Sequence, residues 1–260
     1  MNRIDKLFET KKKNVMSVYF TAGYPKLEDS LTIIRELEAR GVDMVEIGIP
    51  FSDPMADGAV IQQSGAAALN NGMSLQKLFA QLAEIRKNVS IPLIMMGYLN
   101  SVMQFGEERF CRLCRETGID GIIIPDLPFK CYMEEFKSLG EQFDLKFIML
   151  ITPETSPERI RLIDENTSGF IYMVSTASTT GVKDSFDAKT FDYFRRVNAM
   201  NLKNPRMTGF GISNRATFEA ACSNANGAII GSEFIRLLGT EPSIENAVDK
   251  LVEKCTLNTA

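Results

Sequence analysis

Two carboxylates in different surroundings are the candidates for acid–base chemistry. Glu46 interrupts the apolar run Met44 to Ile49, where burial would raise its pKa toward neutrality, as suits a group that gives and takes a proton. Asp57 follows in the turn-rich loop 50–58 and is the natural second carboxylate. The pattern leaves two alternatives open: Glu46 could pair with a basic residue on a neighbouring strand, and Asp57 could cap a helix that starts at Ala59.

Small residues follow the last three apolar runs and predict a site for an anion. Glycines let backbone N–H groups approach an anion, and a helix that begins there adds its positive dipole end. We therefore expect a phosphorylated small molecule at this end of the fold. The positions are Thr180, Gly181, Gly209, Gly211, Gly231 and Ser232.

Large side chains at or near the ends of the apolar runs could wall the same pocket. They are consistent with a flat aromatic ligand and equally with ordinary core packing. These residues are Tyr19, Met96, Tyr98, Tyr172 and Phe210.

Eight short apolar runs must position these residues. Most are continuously apolar, which is typical of parallel strands buried on both faces, and segments with helical spacing such as Leu27 to Arg40 and Glu107 to Glu116 lie between them. The runs are 16–20, 44–49, 92–96, 121–124, 146–151, 170–174, 206–210 and 228–230.

The order of the runs predicts the α/β class and a single (β/α)8 barrel, the TIM barrel, over residues 1–260. We also expect an extra N-terminal helix and an extra helical segment after strand 2, within Met55 to Asn70. A doubly wound open sheet is the alternative. The lack of a G-x-G-x-x-G motif after the first strand favours the closed barrel.

Composition excludes several classes of function. The chain has no histidine, which removes Ser-His-Asp and Cys-His catalysis and imidazole metal sites, and the lone pair Cys111 and Cys114 is a weak zinc signal. A net charge of -4 offers no basic surface for nucleic acid. The lack of a signal peptide and of a long apolar segment, together with an odd number of cysteines, predicts a cytoplasmic protein away from membranes.

The motifs together resemble the tryptophan synthase α subunit family. The resemblance runs from strand 1 to strand 8, and its most specific part is the stretch 46–62. The other matching stretches are 19–25, 125–128, 209–213 and 231–232.

The resemblance implies a lyase that cleaves indole-3-glycerol phosphate to indole and glyceraldehyde 3-phosphate without cofactor or metal. It implies that Glu46 is the acid–base residue and that Asp57 meets the indole N–H. It further implies that Tyr172, Tyr19 and Met96 contact the substrate. By the same resemblance Gly181, Gly209, Gly211, Gly231 and Ser232 bind its phosphate.

Family members work in an α2β2 complex, so a tryptophan synthase β subunit is the expected partner. Two other functions stay open from the residues. Another phosphate-binding barrel isomerase or synthase would need a catalytic lysine or cysteine at a strand end, and the sequence offers no obvious one. A non-catalytic regulatory barrel would not need both Glu46 and Asp57.

Overall fold

Eight parallel strands close into a barrel in chain order, so that β8 pairs with β1. The structure, a computed structural model, describes residues 1–174, 188–209 and 211–255. Each predicted apolar run coincides with one strand, apart from one or two residues at the ends. The strands are β1 (Val15–Thr21), β2 (Met44–Gly48), β3 (Leu93–Met96), β4 (Gly121–Ile123), β5 (Lys146–Ile151), β6 (Ile171–Val174), β7 (Arg206–Gly209) and β8 (Gly227–Ile230).

The strands are buried on both faces, which explains why their sequences are continuously apolar. In β2, Met44 belongs to the cluster that fills the barrel interior, whereas Val45 and Ile47 pack in the layer between strands and helices. Because side chains alternate along a strand, Glu46 and Gly48 point into the barrel with Met44. The closed barrel confirms the predicted fold and excludes the open sheet.

Helices follow the strands and cover the barrel. The predicted N-terminal helix and the predicted segment after strand 2 are confirmed as α1 and α3. The helices are α1 (Arg3–Thr10), α2 (Ser30–Ala39), α3 (Ala59–Asn70), α4 (Leu75–Leu82), α5 (Leu99–Phe105), α6 (Glu107–Glu116), α7 (Phe129–Cys131), α8 (Lys137–Phe143), α9 (Pro157–Asn166), α10 (Ala188–Asn198), α11 (Arg215–Asn224), α12 (Ser232–Thr240) and α13 (Ile244–Cys255). A 3₁₀ turn (Ile85–Lys87) and a π-helical turn (Tyr132–Phe136) complete the described elements.

One predicted helix begins later than its apolar spacing indicates. The pattern predicts a helix from Leu27, but α2 begins at Ser30. The Asp29 carboxylate accepts a hydrogen bond from the Lys26 backbone N–H at 3.1 Å and forms a local turn instead. None of the helices within the described ranges is long and apolar enough to cross a membrane.

Helix α1 lies across the end of the barrel opposite the strand termini that carry the candidate site. Ile4 and Phe8 pack into the barrel-interior cluster. The Asn2 side chain accepts from the Ile4 N–H at 2.9 Å, and its amide donates to the Asp120 backbone carbonyl at 2.9 Å. These hydrogen bonds fix the helix to the segment before β4. The helix covers the barrel interior at the end opposite the candidate site.

Asp120 joins three elements through its buried carboxylate. It accepts hydrogen bonds from Arg3 at 2.9 Å, from Arg86 at 2.6 Å and from the Leu93 backbone N–H at 2.9 Å. Removing one partner of a buried ion pair leaves the other charge uncompensated.

We expect Asp120→Ala to lower the free energy of unfolding by about 3–5 kcal/mol. The loss arises because Arg86 and the Leu93 N–H would lose their buried acceptor. Urea unfolding followed by circular dichroism measures this change. Glu134→Gln is the matched control, since it breaks an exposed pair with Lys130 and should change stability by no more than about 0.5 kcal/mol. Equal effects of the two substitutions would contradict the prediction.

Candidate active site

Glu46 lies on β2 with its side chain inside the barrel and no exposed surface. Its Oε1 accepts a hydrogen bond from the Ser17 hydroxyl at 2.9 Å, and its Oε2 has no hydrogen-bond partner within the described residues. Burial raises the pKa of Glu46 to about 8, while the hydrogen bond from Ser17 acts in the opposite direction. The alternative of a basic partner finds no support, because no lysine or arginine contributes to this shift.

Asp57 reaches the same end of the barrel through the loop after β2. Its Oδ2 accepts a hydrogen bond from the Tyr98 hydroxyl at 3.0 Å, and that hydroxyl accepts from the Ala56 N–H at 3.0 Å. Gln62 donates to the Asp57 backbone carbonyl at 2.8 Å. These hydrogen bonds fix the loop around Asp57 and hold its carboxylate in one orientation.

The capping alternative for Asp57 is wrong. Gly58 occupies the N-cap position of α3, and no side chain caps that helix. The Asp57 carboxylate is turned toward Tyr98 and is nearly buried. Burial raises the pKa of Asp57, and the hydrogen bond from Tyr98 opposes the rise.

Tyr19 and Tyr172 lie on β1 and β6 beside the two carboxylates. Tyr19 is the register partner of Glu46. The pKa of Tyr19 is raised by burial and then by Asp57, and that of Tyr172 by burial and then by Glu46 and Asp57. Electrostatic influence of both carboxylates on both phenols indicates that the four groups occupy one region.

Glycines on the neighbouring strands make room for these phenols. A Cβ atom at Gly48 would lie 2.1 Å from the Tyr19 hydroxyl, and one at Gly209 would lie 2.1 Å from the Tyr172 hydroxyl. Each ring therefore rests against the adjacent strand. Gly209 has this steric role in addition to the phosphate-binding role that the sequence predicts for it.

The candidate phosphate end lies after β7 and β8. Gly211 has φ +75°, a conformation that favours glycine, and Gly231 and Ser232 stand at the start of α12. A Cβ atom at Gly231 would lie 3.6 Å from the Tyr19 Cβ, so this end adjoins the phenols. Glycine amides and a helix start near the two carboxylates can hold a phosphorylated ligand.

Glu233, directly after these residues, could repel an anion if it faced the site. Its carboxylate instead accepts from Arg236 at 3.3 Å and also pairs with Lys254. The negative charge is thus neutralised on the side of α13. The Glu233 carboxylate therefore does not repel an anion at the start of α12.

The structure describes only part of the predicted site. Met96 ends β3, is partly buried and packs against the barrel-interior cluster. Thr180, Gly181 and Phe210 lie outside the described residues, so their predicted roles stay predictions. Across the ranges that are described, no group of three or more His, Cys, Asp or Glu side chains could hold a metal.

Two side chains in contact with the carboxylates are not assigned these contacts by the sequence pattern. The pattern does not single out Ser17, and it predicts Tyr98 only as part of an apolar wall. A signal for Ser17 exists in the sequence, because Ser17 lies two positions before Tyr19 in β1 and so faces the same side of the strand. The contact of Tyr98 with Asp57 depends on a loop path that local sequence does not specify.

Comparison with known proteins agrees with this geometry. The family model described as tryptophan synthase alpha chain matches residues 6–260. The tryptophan synthase alpha chain of Parabacteroides distasonis is 61% identical over 253 residues, which cover 97% of this chain and 98% of that protein. That of Bacteroides fragilis is 60% identical over 258 residues, with 99% and 97% covered.

This chain belongs to the tryptophan synthase alpha chain family. Solved structures agree with this assignment. A mutant tryptophan synthase alpha-subunit from the hyperthermophile Pyrococcus furiosus superposes with a TM-score of 0.85 at 33% identity, covering 94% of this chain and 98% of that one. Tryptophan synthase from M. tuberculosis gives a TM-score of 0.83 at 26% identity, with 95% and 96% covered. As a member of the family, the chain is a carbon–carbon lyase of tryptophan biosynthesis.

Proposed function

We propose that this chain cleaves indole-3-glycerol phosphate to indole and glyceraldehyde 3-phosphate with Glu46 and Asp57 as its two catalytic carboxylates. The observation that carries the proposal is Glu46, a fully buried carboxyl whose Oε2 has no protein partner within the described residues. A pKa of about 8 lets this group both give and take a proton near neutral pH. Asp57, in a different environment, supplies a second and separate function.

The reaction requires one proton to reach the ring and one to leave the glycerol chain. Glu46 in its acid form protonates indole C3, which creates positive charge on the ring. As a carboxylate it then takes the proton of the glycerol hydroxyl, the bond between C3 and the side chain breaks, and the carbonyl of glyceraldehyde 3-phosphate forms. Glu46 gives one proton and takes one back, so the protons balance. No atom changes its oxidation state through an external reagent, so the step needs no redox partner.

Asp57 stabilises the charge that develops on the ring. Its carboxylate accepts a hydrogen bond from the indole N–H, and its negative charge stabilises the positive charge of the protonated ring. The hydrogen bond from Tyr98 holds Oδ2, so that the other oxygen can meet the ligand. Tyr19, Tyr172 and Met96 supply the apolar walls that keep the ring in place.

The phosphate of the substrate binds where β7 and β8 end. Gly209, Gly211, Gly231 and Ser232 line that end, and the backbone amides at the start of α12, together with its dipole, favour the anion. We assign Gly181, Thr180 and Phe210 to the same ligand by their positions in the family motifs. Anchoring the anionic tail fixes the ring between the two carboxylates.

A tryptophan synthase β subunit is the proposed partner, in an α2β2 complex. Two large apolar side chains on the elements after β2 and β3 support a protein contact there: Met55 is 93% exposed and Met103 is 55% exposed. The five cysteines are free thiols, which supports a location of the protein in the reducing cytoplasm.

The test is indole release from indole-3-glycerol phosphate by the purified chain, alone and with a tryptophan synthase β subunit. We expect indole and glyceraldehyde 3-phosphate in equal amounts without added cofactor or metal. We also expect faster turnover and co-elution on size exclusion when the β subunit is present. A chain that is folded but yields no indole under either condition would refute the proposal, and turnover without co-elution would refute the partner.

A further inference from the structure

Ser17 is a buried hydroxyl in a place where barrels usually carry branched apolar residues. It lies on β1 with no exposed surface, and the residue two positions earlier, Val15, belongs to the barrel-interior cluster. Its register partner is Met44, whereas the partner of Tyr19 is Glu46. Ser17 therefore lies one layer deeper in the barrel than the Glu46 backbone.

The hydrogen bond from Ser17 makes the two oxygens of Glu46 different. The hydroxyl donates to Oε1 at 2.9 Å from the deeper layer of the barrel interior. Oε2 has no partner among residues of the described ranges. One oxygen is thus held by the protein and the other is left for a ligand.

Among the described residues, no other side chain donates a hydrogen bond to Glu46. Its strand neighbour β3 contributes Ile94 and Met96, which are apolar. The titratable groups that face it are Tyr19 from β1 and Tyr172 from β6, with Asp57 beside both phenols. Of the side chains that the structure describes, Ser17 is the one whose hydrogen bond acts on Glu46.

We propose that Ser17 is a positioning residue for Glu46: its hydroxyl holds Oε1 and so reserves Oε2 as the oxygen that exchanges the proton with the substrate. The inference rests on the catalytic role proposed for Glu46. A buried hydroxyl that donated to nothing would be costly, so an apolar residue would serve mere packing better. Donation to a carboxylate is a strong, charge-assisted bond that orients its acceptor.

The bond also limits how far burial can raise the pKa of Glu46. Burial disfavours the carboxylate, and the Ser17 hydroxyl favours it. Without the hydroxyl the carboxyl would hold its proton to higher pH and accept the glycerol proton only at higher pH. The pH dependence of turnover therefore reports on this contact.

The experiment compares Ser17→Ala, Ser17→Cys and Ser17→Thr with the wild type in the indole-release assay from about pH 5 to pH 10. For Ser17→Ala we expect kcat to fall roughly 10-fold at neutral pH, KM to change less than about 2-fold, and the Glu46 limb of the kcat profile to move up by about 1 pH unit. Ser17→Cys, a weak donor of similar size, should behave in the same direction. Ser17→Thr keeps the hydroxyl, so the Glu46 limb of its kcat profile should lie at the wild-type pH.

Thr208→Val is the matched control. Thr208 is also a fully buried strand hydroxyl, and its Oγ1 has no hydrogen-bond partner in the part of the chain that the structure describes. Its loss should leave both kcat and the limb as in the wild type. A limb that moves equally in this variant would overturn the proposal, because any buried hydroxyl would then suffice.

Two further outcomes overturn the positioning role. One is a folded Ser17→Ala or Ser17→Cys with wild-type kcat and an unmoved limb. The other is a loss of kcat with an unmoved limb that Ser17→Thr fails to rescue, which would mean a structural role. Glu46→Gln is assayed in parallel: its inactivity beside a wild-type-like Ser17→Ala refutes the Ser17 inference alone, whereas an active Glu46→Gln refutes the proposed function itself.

Discussion

Glu46→Gln should lower kcat for indole release by roughly 10³–10⁴-fold, the upper part of the range for loss of a general acid–base group. Glutamine keeps the shape of the side chain and can still accept from Ser17, but it cannot carry the proton. Calorimetric titration with indole-3-glycerol phosphate should show that the variant still binds the substrate. Wild-type turnover by this variant would remove Glu46 from the mechanism.

The same substitution should change stability in a pH-dependent way. Glu46 holds its proton more tightly in the folded chain, where its pKa is about 8, than in the unfolded chain, where the ordinary value is 4.5. Its contribution to stability is therefore complete below pH 4.5 and is lost as the pH rises toward 8. Glutamine does not ionise, so the variant should be more stable than the wild type by roughly 2–5 kcal/mol at pH 8 and by close to zero at pH 4.

Urea unfolding at a series of pH values measures this difference. A difference between variant and wild type that is flat with pH would show that the Glu46 carboxyl does not hold its proton near neutrality. Thr208→Val again serves as the comparison, because it changes a buried strand side chain without removing an ionisable group.

Asp57→Asn should lower kcat by about 10²-fold, less than the loss for Glu46→Gln. The amide can still accept from Tyr98, but it cannot stabilise positive charge on the indole ring. Steady-state kinetics of indole release by the isolated chain measure the effect. KM should change little, since the phosphate end of the site is untouched.

Asp53→Asn is the matched control for this substitution. Asp53 lies in the same loop, is exposed, and accepts from the Ser52 hydroxyl at 2.5 Å. The two substitutions remove the same charge from neighbouring positions, so loss of charge alone would affect them equally. Equal losses of kcat would contradict the specific role of Asp57.

The barrel could be predicted from the sequence because each of its strands is buried on both faces and so reads as an apolar run. Glu46 stood out for the same reason, as a charge within such a run. The beginning of α2 could not be read from apolar spacing, since the turn around Asp29 is a contact between side chain and backbone.

Contacts across the barrel mark the limit of what local sequence specifies. Whether Asp57 caps α3 or faces the pocket depends on Tyr98, which lies far along the chain. The second role of Gly209 depends on how β6 and β7 pair, which sets where the Tyr172 ring rests. Ser17 carries no charge, so its importance becomes visible only when its hydroxyl is seen on Glu46.

The chain has no histidine, and burial raises the pKa of cysteine thiols such as Cys111 and Cys222 to about 12 and about 11. Among the described residues, the Glu46 carboxyl has a pKa of about 8, close to neutrality. Difference infrared spectroscopy of the unlabelled, resting protein should therefore show the carbonyl stretch of a protonated acid fading with a midpoint near pH 8, so that the proton proposed to act in catalysis can be observed without turnover.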